Sequence, residues 1–237
     1  MLFYQLFDNE SSTYTYLLAD EKTFDAVLID SVAEHLERDL KLLHELGLRL
    51  KYVLDTHVHA DHVTAAGEIR ARTGALSGVA AASGVECADL PLKDGDVLEF
   101  GAHQLKVIAT PGHTEGCLSY YCEGKLFTGD ALLIRGCGRT DFQQGSSARL
   151  YASVTRKLFT LPPETEVYPG HDYKGFTKST IAQEMAYNPR LGGGKTEAEF
   201  VKLMSEIKLA QPKKILEAVP ANLKCGARPR PAVPQGS

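Results

Sequence analysis

His57, His59, Asp61 and His62 lie within six consecutive positions of Thr56-His57-Val58-His59-Ala60-Asp61-His62. Neutral imidazole nitrogens and carboxylate oxygens are the ligands of zinc, ferrous iron and related cations. Along extended backbone, residues i and i+2 face one side, so His57 and His59 can aim at one point. A turn into a helix can bring Asp61 and His62 back to it. A single histidine in a polar loop is usually only solvated, but four such groups at this density point to a metal centre. Three further candidates share one local context. His113 sits in Thr110-Pro111-Gly112-His113-Thr114, Asp130 in Thr128-Gly129-Asp130, and His171 in Tyr168-Pro169-Gly170-His171-Asp172. Each follows an apolar, strand-like run and has a glycine directly before it. Glycine lets the backbone turn sharply or approach a crowded centre.

The elements that deliver these residues are legible as patterns. Ser12–Leu18 and Asp25–Asp30 read as strands, and Leu50–Leu54 as the strand leading to His57. Ser31 and Glu34 have the spacing of a capping box before a helix carrying Leu36, Leu40, Leu43 and Leu46, which Gly47 ends. Residues from Gly67 to Thr73 should be helical. Asp96–Phe100 and Gln104–Ile108 alternate as a hairpin with His103 in its exposed turn; Leu118–Cys122 and Lys125–Phe127 form a second. A helix is expected around Ala148–Phe159, a short strand at Glu166–Tyr168, and helices over Thr177–Tyr187 and Thr196–Ile207, the last with a Thr196/Glu199 capping box. Strands come in two groups, each followed by helices, which suggests two packed sheets with helices outside.

Composition narrows the function classes. A chain of 237 residues with 43% hydrophobic and 24% charged residues is of ordinary globular make-up and can bury a substantial core. The formal net charge of −4 gives no broad attraction to nucleic acid. No run is apolar enough to span a bilayer, and Met1–Asp8 lacks the basic and apolar regions of a secretory signal. The five cysteines, without C-x-x-C spacing, fit reduced thiols, so a cytoplasmic location is expected.

Taken together, His-x-His-x-Asp-His, Pro-Gly-His-Thr, Thr-Gly-Asp and Pro-Gly-His resemble the motif set of the metallo-β-lactamase superfamily, over about Ser12–Tyr187. The resemblance implies an α+β fold, an αββα sandwich of two mixed sheets with helices outside and the site at one end. Its extent implies a catalytic domain over residues 1–190, a short helical extension packed on it over 191–225, and a flexible tail over 226–237, rich in proline and arginine.

Fold alone does not name a reaction. Asp130 stands where the main zinc lactamases of this fold place a cysteine, which disfavours a lactamase. The stretches Asp130–Gly145, Tyr168–Thr177 and Asn188-Pro189-Arg190 are similar to the persulfide dioxygenases of the superfamily. That group implies one Fe(II) per chain, held by His57, His113 and Asp130, and oxidation of glutathione persulfide by O2 and water to sulfite and glutathione. It also implies that His59, Asp61, His62 and His171 form a hydrogen-bonding shell instead of a second metal site. A homodimer is compatible with the group. Arg139 and Tyr173 are the substrate-side candidates: a guanidinium matches a glutathione carboxylate, and a phenol can reach substrate or oxygen. Against these stand a local Arg139–Asp141 ion pair and simple packing of Tyr173 beside His171. Cys137 reads as a small packing residue. The alternative is a glyoxalase II-like hydroxyacylglutathione hydrolase, which would use all seven ligand-type residues to hold two metals.

Overall fold

The computed structural model describes residues 1–227, so most of the proposed tail, 228–237, lies outside the described residues. A first sheet places β1 (Leu2–Phe7), β2 (Tyr14–Ala19), β3 (Asp25–Ile29), β4 (Arg49–Leu54), β5 (Leu76–Ala80) and β6 (Leu90–Leu92) side by side in that order. β1 to β3 run antiparallel, and β3 to β6 are parallel. Parallel neighbours need crossovers, which pass through α1 (Leu36–Glu45) between β3 and β4 and α2 (Ala66–Thr73) between β4 and β5. The second sheet contains β7 (Val97–Phe100), β8 (His103–Ala109), β9 (Leu118–Cys122), β10 (Lys125–Gly129), β11 (Glu166–Pro169) and β12 (Ser179–Thr180). β10 and β11 are its parallel pair, joined through α3 (Ser147–Arg156). α4 (Ile181–Tyr187), α5 (Glu197–Glu206) and α6 (Ile215–Asn222) complete the chain.

Strand alternation divides the core into layers. Tyr16, Leu18, Val27, Ile29 and Leu54 of the first sheet pack against Phe100, Leu105, Val107, Tyr120 and Phe127 of the second. The opposite faces take the helices. Leu17, Leu28 and Val53 meet Leu43 of α1 and Ile69 of α2. Leu126 and Val167 meet Leu150 and Val154 of α3, Ile181 of α4, and Phe200 and Met204 of α5. This is the expected αββα sandwich, with mixed sheets and helices outside.

Local departures from the sequence expectations have physical causes. The Ser31/Glu34 capping box does not form: Ser31 is buried with its hydroxyl unpartnered, a 3-10 turn covers Ala33–His35, and α1 starts at Leu36. The bridge between Val32 and Thr64 holds that stretch extended and delays the helix. Ser179 and Thr180 pair with β11, so the helix expected from Thr177 begins at Ile181, capped by Thr180. β5 escapes a pattern search because it is built from small residues; a Cβ on Gly78 would sit 2.7 Å from the Leu54 side chain. His103 opens β8 and is wedged between Glu123 and Asp20, not left in an exposed turn. The Thr196/Glu199 capping box forms as expected.

The cysteine expectation is corrected as well. Cys87 and Cys225 form a disulfide across 138 residues, while Cys117, Cys122 and Cys137 are free and buried. Their Cα atoms lie 6.1 Å apart, within bridging range, a proximity that linear spacing could not reveal. The thiol-based reason for a cytoplasmic location therefore lapses. No described helix is long and apolar enough to cross a membrane.

Phe127 is fully buried, with its ring centroid 4.9 Å from that of Tyr16. Phe127→Ala should cost roughly 3–5 kcal/mol in urea-unfolding stability, because the sheets cannot close over the hole. Leu216, 91% exposed on α6, should tolerate Leu216→Ala within about 0.5 kcal/mol in the same assay.

Candidate metal centre

Asp30, His57, His113, Asp130 and His171 follow β3, β4, β8, β10 and β11. The strands are anchored by their apolar faces, and the polar residues beyond their ends converge. Gly129 shows how tight the convergence is. Its φ is +49°, and a Cβ there would lie 2.5 Å from the Thr56 hydroxyl, so both conformation and space call for glycine.

His57, His113 and Asp130 each offer a ligand atom, and these atoms all lie within 4.8 Å of one another. Hydrogen bonds select which imidazole nitrogen is free. The Thr56 hydroxyl donates to Asp30 Oδ2 at 2.9 Å, so it accepts from His57 Nδ1, also at 2.9 Å. His113 Nδ1 lies 2.6 Å from the Arg139 carbonyl, which can only accept. Both rings therefore carry their proton on Nδ1 and keep a lone pair on Nε2, the arrangement a ligating histidine needs. His113 Nε2 is 3.6 Å from Asp130 Oδ2. Burial, with His59 and His113 nearby, holds the His57 pKa well below its ordinary value, which keeps it a neutral donor. Burial opposes charge on Asp130 too, but the charge and hydrogen bond of His171 outweigh it and keep the carboxyl ionised. Two imidazole nitrogens and one carboxylate are a donor set that fits a divalent metal ion and leaves part of its coordination sphere open.

The model of the metallo-β-lactamase superfamily matches residues 8–171, the stretch that carries every one of these candidate ligands. The chain belongs to this superfamily. Human persulfide dioxygenase ETHE1, a mitochondrial protein by name, is 49% identical over 231 residues, 96% of this chain and 90% of that protein. The crystal structure of ETHE1 from Myxococcus xanthus superposes with a TM-score of 0.93 at 54% identity, covering 96% of this chain and all of that one. A hydroxyacylglutathione hydrolase from Cereibacter sphaeroides is 39% identical over 167 residues, 69% of this chain and 64% of that protein.

The remaining motif residues of the superfamily are arranged behind the three ligands. His171 Nδ1 is 2.7 Å from Asp130 Oδ1, and its Nε2 is 3.0 Å from Asp61 Oδ2. Burial opposes a charge on His171, yet the two carboxylates outweigh it and hold its pKa well above the usual histidine value. The charged form is thus favoured, with both nitrogens placed to donate. His59 Nε2 contacts Asp30 Oδ1 at 3.1 Å; burial again opposes the charge, and Asp30 carries the pKa up to about 9. His62 is pushed the other way, by burial and by His59. His59, Asp61 and His62 form a second close group, in which His59 Nδ1 and His62 Nε2 are buried without a partner.

Sequence patterns missed three supporting residues. Asp30 accepts from both the backbone and the hydroxyl of Thr56, and Thr13 lies 3.1 Å from His171 Nε2 and 3.2 Å from Asp61. Asp30 was discoverable, since it too closes a buried strand; Thr13 and Thr56 carried no such signal.

Arg139 and Tyr173 both line a cavity of about 590 Å³ that opens over the ligands. The Arg139 guanidinium makes two 2.6 Å bonds to Asp141, donates to the Ala210 carbonyl at 2.7 Å, and lies 3.9 Å over the Phe142 ring. The local ion pair weighed against substrate binding is therefore present. Tyr173 stacks on His171 with the rings only 2° from parallel, and the residue remains 72% exposed. Cys137 is buried on the cavity wall beside Met204, and burial pushes its thiol up to about 11, as suits a packing residue.

The raised His59 pKa has a definite consequence for the metal-free protein. A histidine whose folded pKa exceeds its unfolded one stabilises fully below the unfolded value and loses that contribution as pH rises through the folded value. Between about pH 6.5 and 9, loss of the His59 proton should remove stability on the order of 3 kcal/mol. Asp30→Asn should flatten this part of the decline. Urea unfolding at pH 6 and pH 9.5 measures both.

Proposed function

We propose that this chain is a persulfide dioxygenase that oxidises glutathione persulfide with O2 and water to glutathione and sulfite at one ferrous ion. The observation that carries the reading is the 49% identity to human persulfide dioxygenase ETHE1 over nearly both full lengths, in a chain that keeps the two-histidine, one-carboxylate face. His57, His113 and Asp130 would hold the ion. When bound there, ferrous iron would supply electrons for the reduction of O2 and open coordination positions for the reactants.

The protein's own groups do the positioning. Asp30 and Thr56 orient His57, and the Arg139 carbonyl orients His113. His171 carries a proton on each nitrogen between Asp61 and Asp130, holding Asp130 in place and offering no lone pair to a second ion. That favours a single ion, with His59, Asp61, His62 and His171 as the surrounding hydrogen-bonding shell. Tyr173 presents a hydroxyl-bearing ring at the cavity wall, where it can donate to the substrate. Arg139, tied to Asp141, shapes the rim that receives the glutathione moiety. We assign the catalytic unit to residues 1–190 and treat 191–225 as an extension that completes the cavity through Leu209, Ala210 and Lys214.

A second reading has its own support. Ligand atoms of His59, Asp61 and His62 lie within 4.8 Å of one another and His62 Nε2 is buried without a partner, so once His59 gives up a proton the group suits another cation and hence the binuclear chemistry of a hydroxyacylglutathione hydrolase. Protein purified without oxygen decides between them. The dioxygenase should contain about one iron per chain and consume O2 as sulfite appears from glutathione persulfide. Two zinc ions per chain, with lactoylglutathione hydrolysed and no oxygen uptake, would establish the hydrolase.

Arg139→Ala tests the rim separately. The backbone carbonyl that holds His113 survives this change, so iron content should be retained while KM for glutathione persulfide rises. Unaltered KM would remove Arg139 from substrate binding.

A further inference from the structure

The far end of the described chain is fastened to the back of the metal-ligand loop. Asn222, the last residue of α6, is buried, and every hydrogen-bonding group of its amide that counts meets that loop. Its Oδ1 accepts from the Thr64 amide at 2.9 Å, and its Nδ2 donates to the carbonyls of His59 and His62, each at 2.9 Å. Both amide protons are thereby used. The contact continues around this point. Ala218 and Ala221 pack on Val63, the Cys225 carbonyl accepts from Gly67 N at 3.1 Å, and Gly226 lies so close that a Cβ would be 2.1 Å from the Thr64 carbonyl. Asn222 borders a small cavity with His57 and Cys225 and does not line the large one that opens over the ligands. It acts from behind.

The Cys87–Cys225 disulfide closes the clasp three residues beyond Asn222. α6 is only eight residues long, and its exposed side carries Leu216, which adds little holding power. A short helix held by few buried contacts detaches readily unless tethered, and the covalent link supplies the tether.

We propose that Asn222 is a positioning residue for the metal centre and that the Cys87–Cys225 disulfide is the latch that keeps it seated, so that reducing the disulfide loosens the grip on the ion. The redox step is ordinary thiol–disulfide exchange. A thiolate attacks one sulfur and displaces the other; a second thiol then resolves the mixed disulfide. Two electrons and two protons pass from the external dithiol, which is oxidised, to Cys87 and Cys225, which become thiols. The inference requires metal binding by His57, His113 and Asp130. It does not require oxygen chemistry, and its readouts are independent of turnover.

The test compares metal-loaded wild-type protein, Asn222→Leu, Asn222→Asp and a Cys87→Ser/Cys225→Ser double variant. Three quantities are read: the rate of metal release to a chelator, amide hydrogen exchange across residues 57–64, and the thermal midpoint. Asn222→Leu removes all three bonds, while Asn222→Asp keeps the acceptor for Thr64 and loses the donors. Both should release metal faster by about tenfold or more, the range typical of residues that orient ligands. Loop exchange should rise in parallel, and KM for persulfide should stay unchanged. Tris(2-carboxyethyl)phosphine should speed metal release and loop exchange in wild type, to the level of the double variant, and do nothing further to the double variant itself. A lower thermal midpoint with unaltered metal release and loop exchange would reduce Asn222 to a purely structural residue. Wild-type protein whose thiol count proves the disulfide open, yet whose metal release is unchanged, would overturn the latch; that arm stands even where an Asn222 variant fails to fold.

Discussion

A chain of opposite charges, Asp130–His171–Asp61, sits at the buried edge of the sandwich, and the rest of the site depends on it. A lone charge in such a place would cost several kcal/mol. Alternating sign, with a hydrogen bond at every step, offsets that cost. The pairing also sets direction. Asp130 commits Oδ1 to His171, which leaves Oδ2 facing His113. Asp61 is held by His171, His62 and Thr13 together, and Thr13 is braced in turn by Ser11. The geometry of the candidate ligands is therefore a by-product of charge compensation among residues from five separate parts of the chain.

The core is coupled to this network through tyrosines. Tyr16 and Tyr120 are wholly buried between the sheets, yet each phenol ends on a loop that leads to the site: Tyr16 donates to the Pro169 carbonyl at 2.6 Å, and Tyr120 to the Asp55 carbonyl at 2.9 Å. Burial raises both pKa values well above the ordinary tyrosine range, so both remain donors. His57 and His171 stand two residues beyond those carbonyls. Packing between the sheets and placement of the ligands are thus parts of one structure, since a shift of the aromatic layer would move the backbone that carries the imidazoles.

What the sequence revealed follows from where each signal resides. The candidate ligands His113, Asp130 and His171 were visible because strand, glycine and ligand type are adjacent in the chain, and the alternating hairpins because their period is local. β5 and β6 were invisible: one is made of small residues and the other is only three residues long. The Cys87–Cys225 link and the reach of Asn222 to His59 span well over a hundred residues, and only the folded chain brings them together. Arg139 shows a subtler limit. Its side chain drew attention as a charged group near the site, while its most direct contact with the ligands is made by its backbone carbonyl, a group that every residue possesses.

Under the single-ion reading, the proton on His171 weighs against a second metal on this scaffold. His171 now donates from both nitrogens to carboxylates, and a ring in that state cannot ligate. To bind a second cation it must give up the Nε2 proton, and Asp61 must exchange an imidazolium partner for the ion. Cation and proton therefore compete for the same negative pocket, and binding there releases a proton. The two flanking carboxylates, by holding the His171 pKa high, weight that competition toward the proton. One set of residue types can in this way serve two chemistries, according to how strongly the surrounding carboxylates retain hydrogen on the His171 and His59 rings.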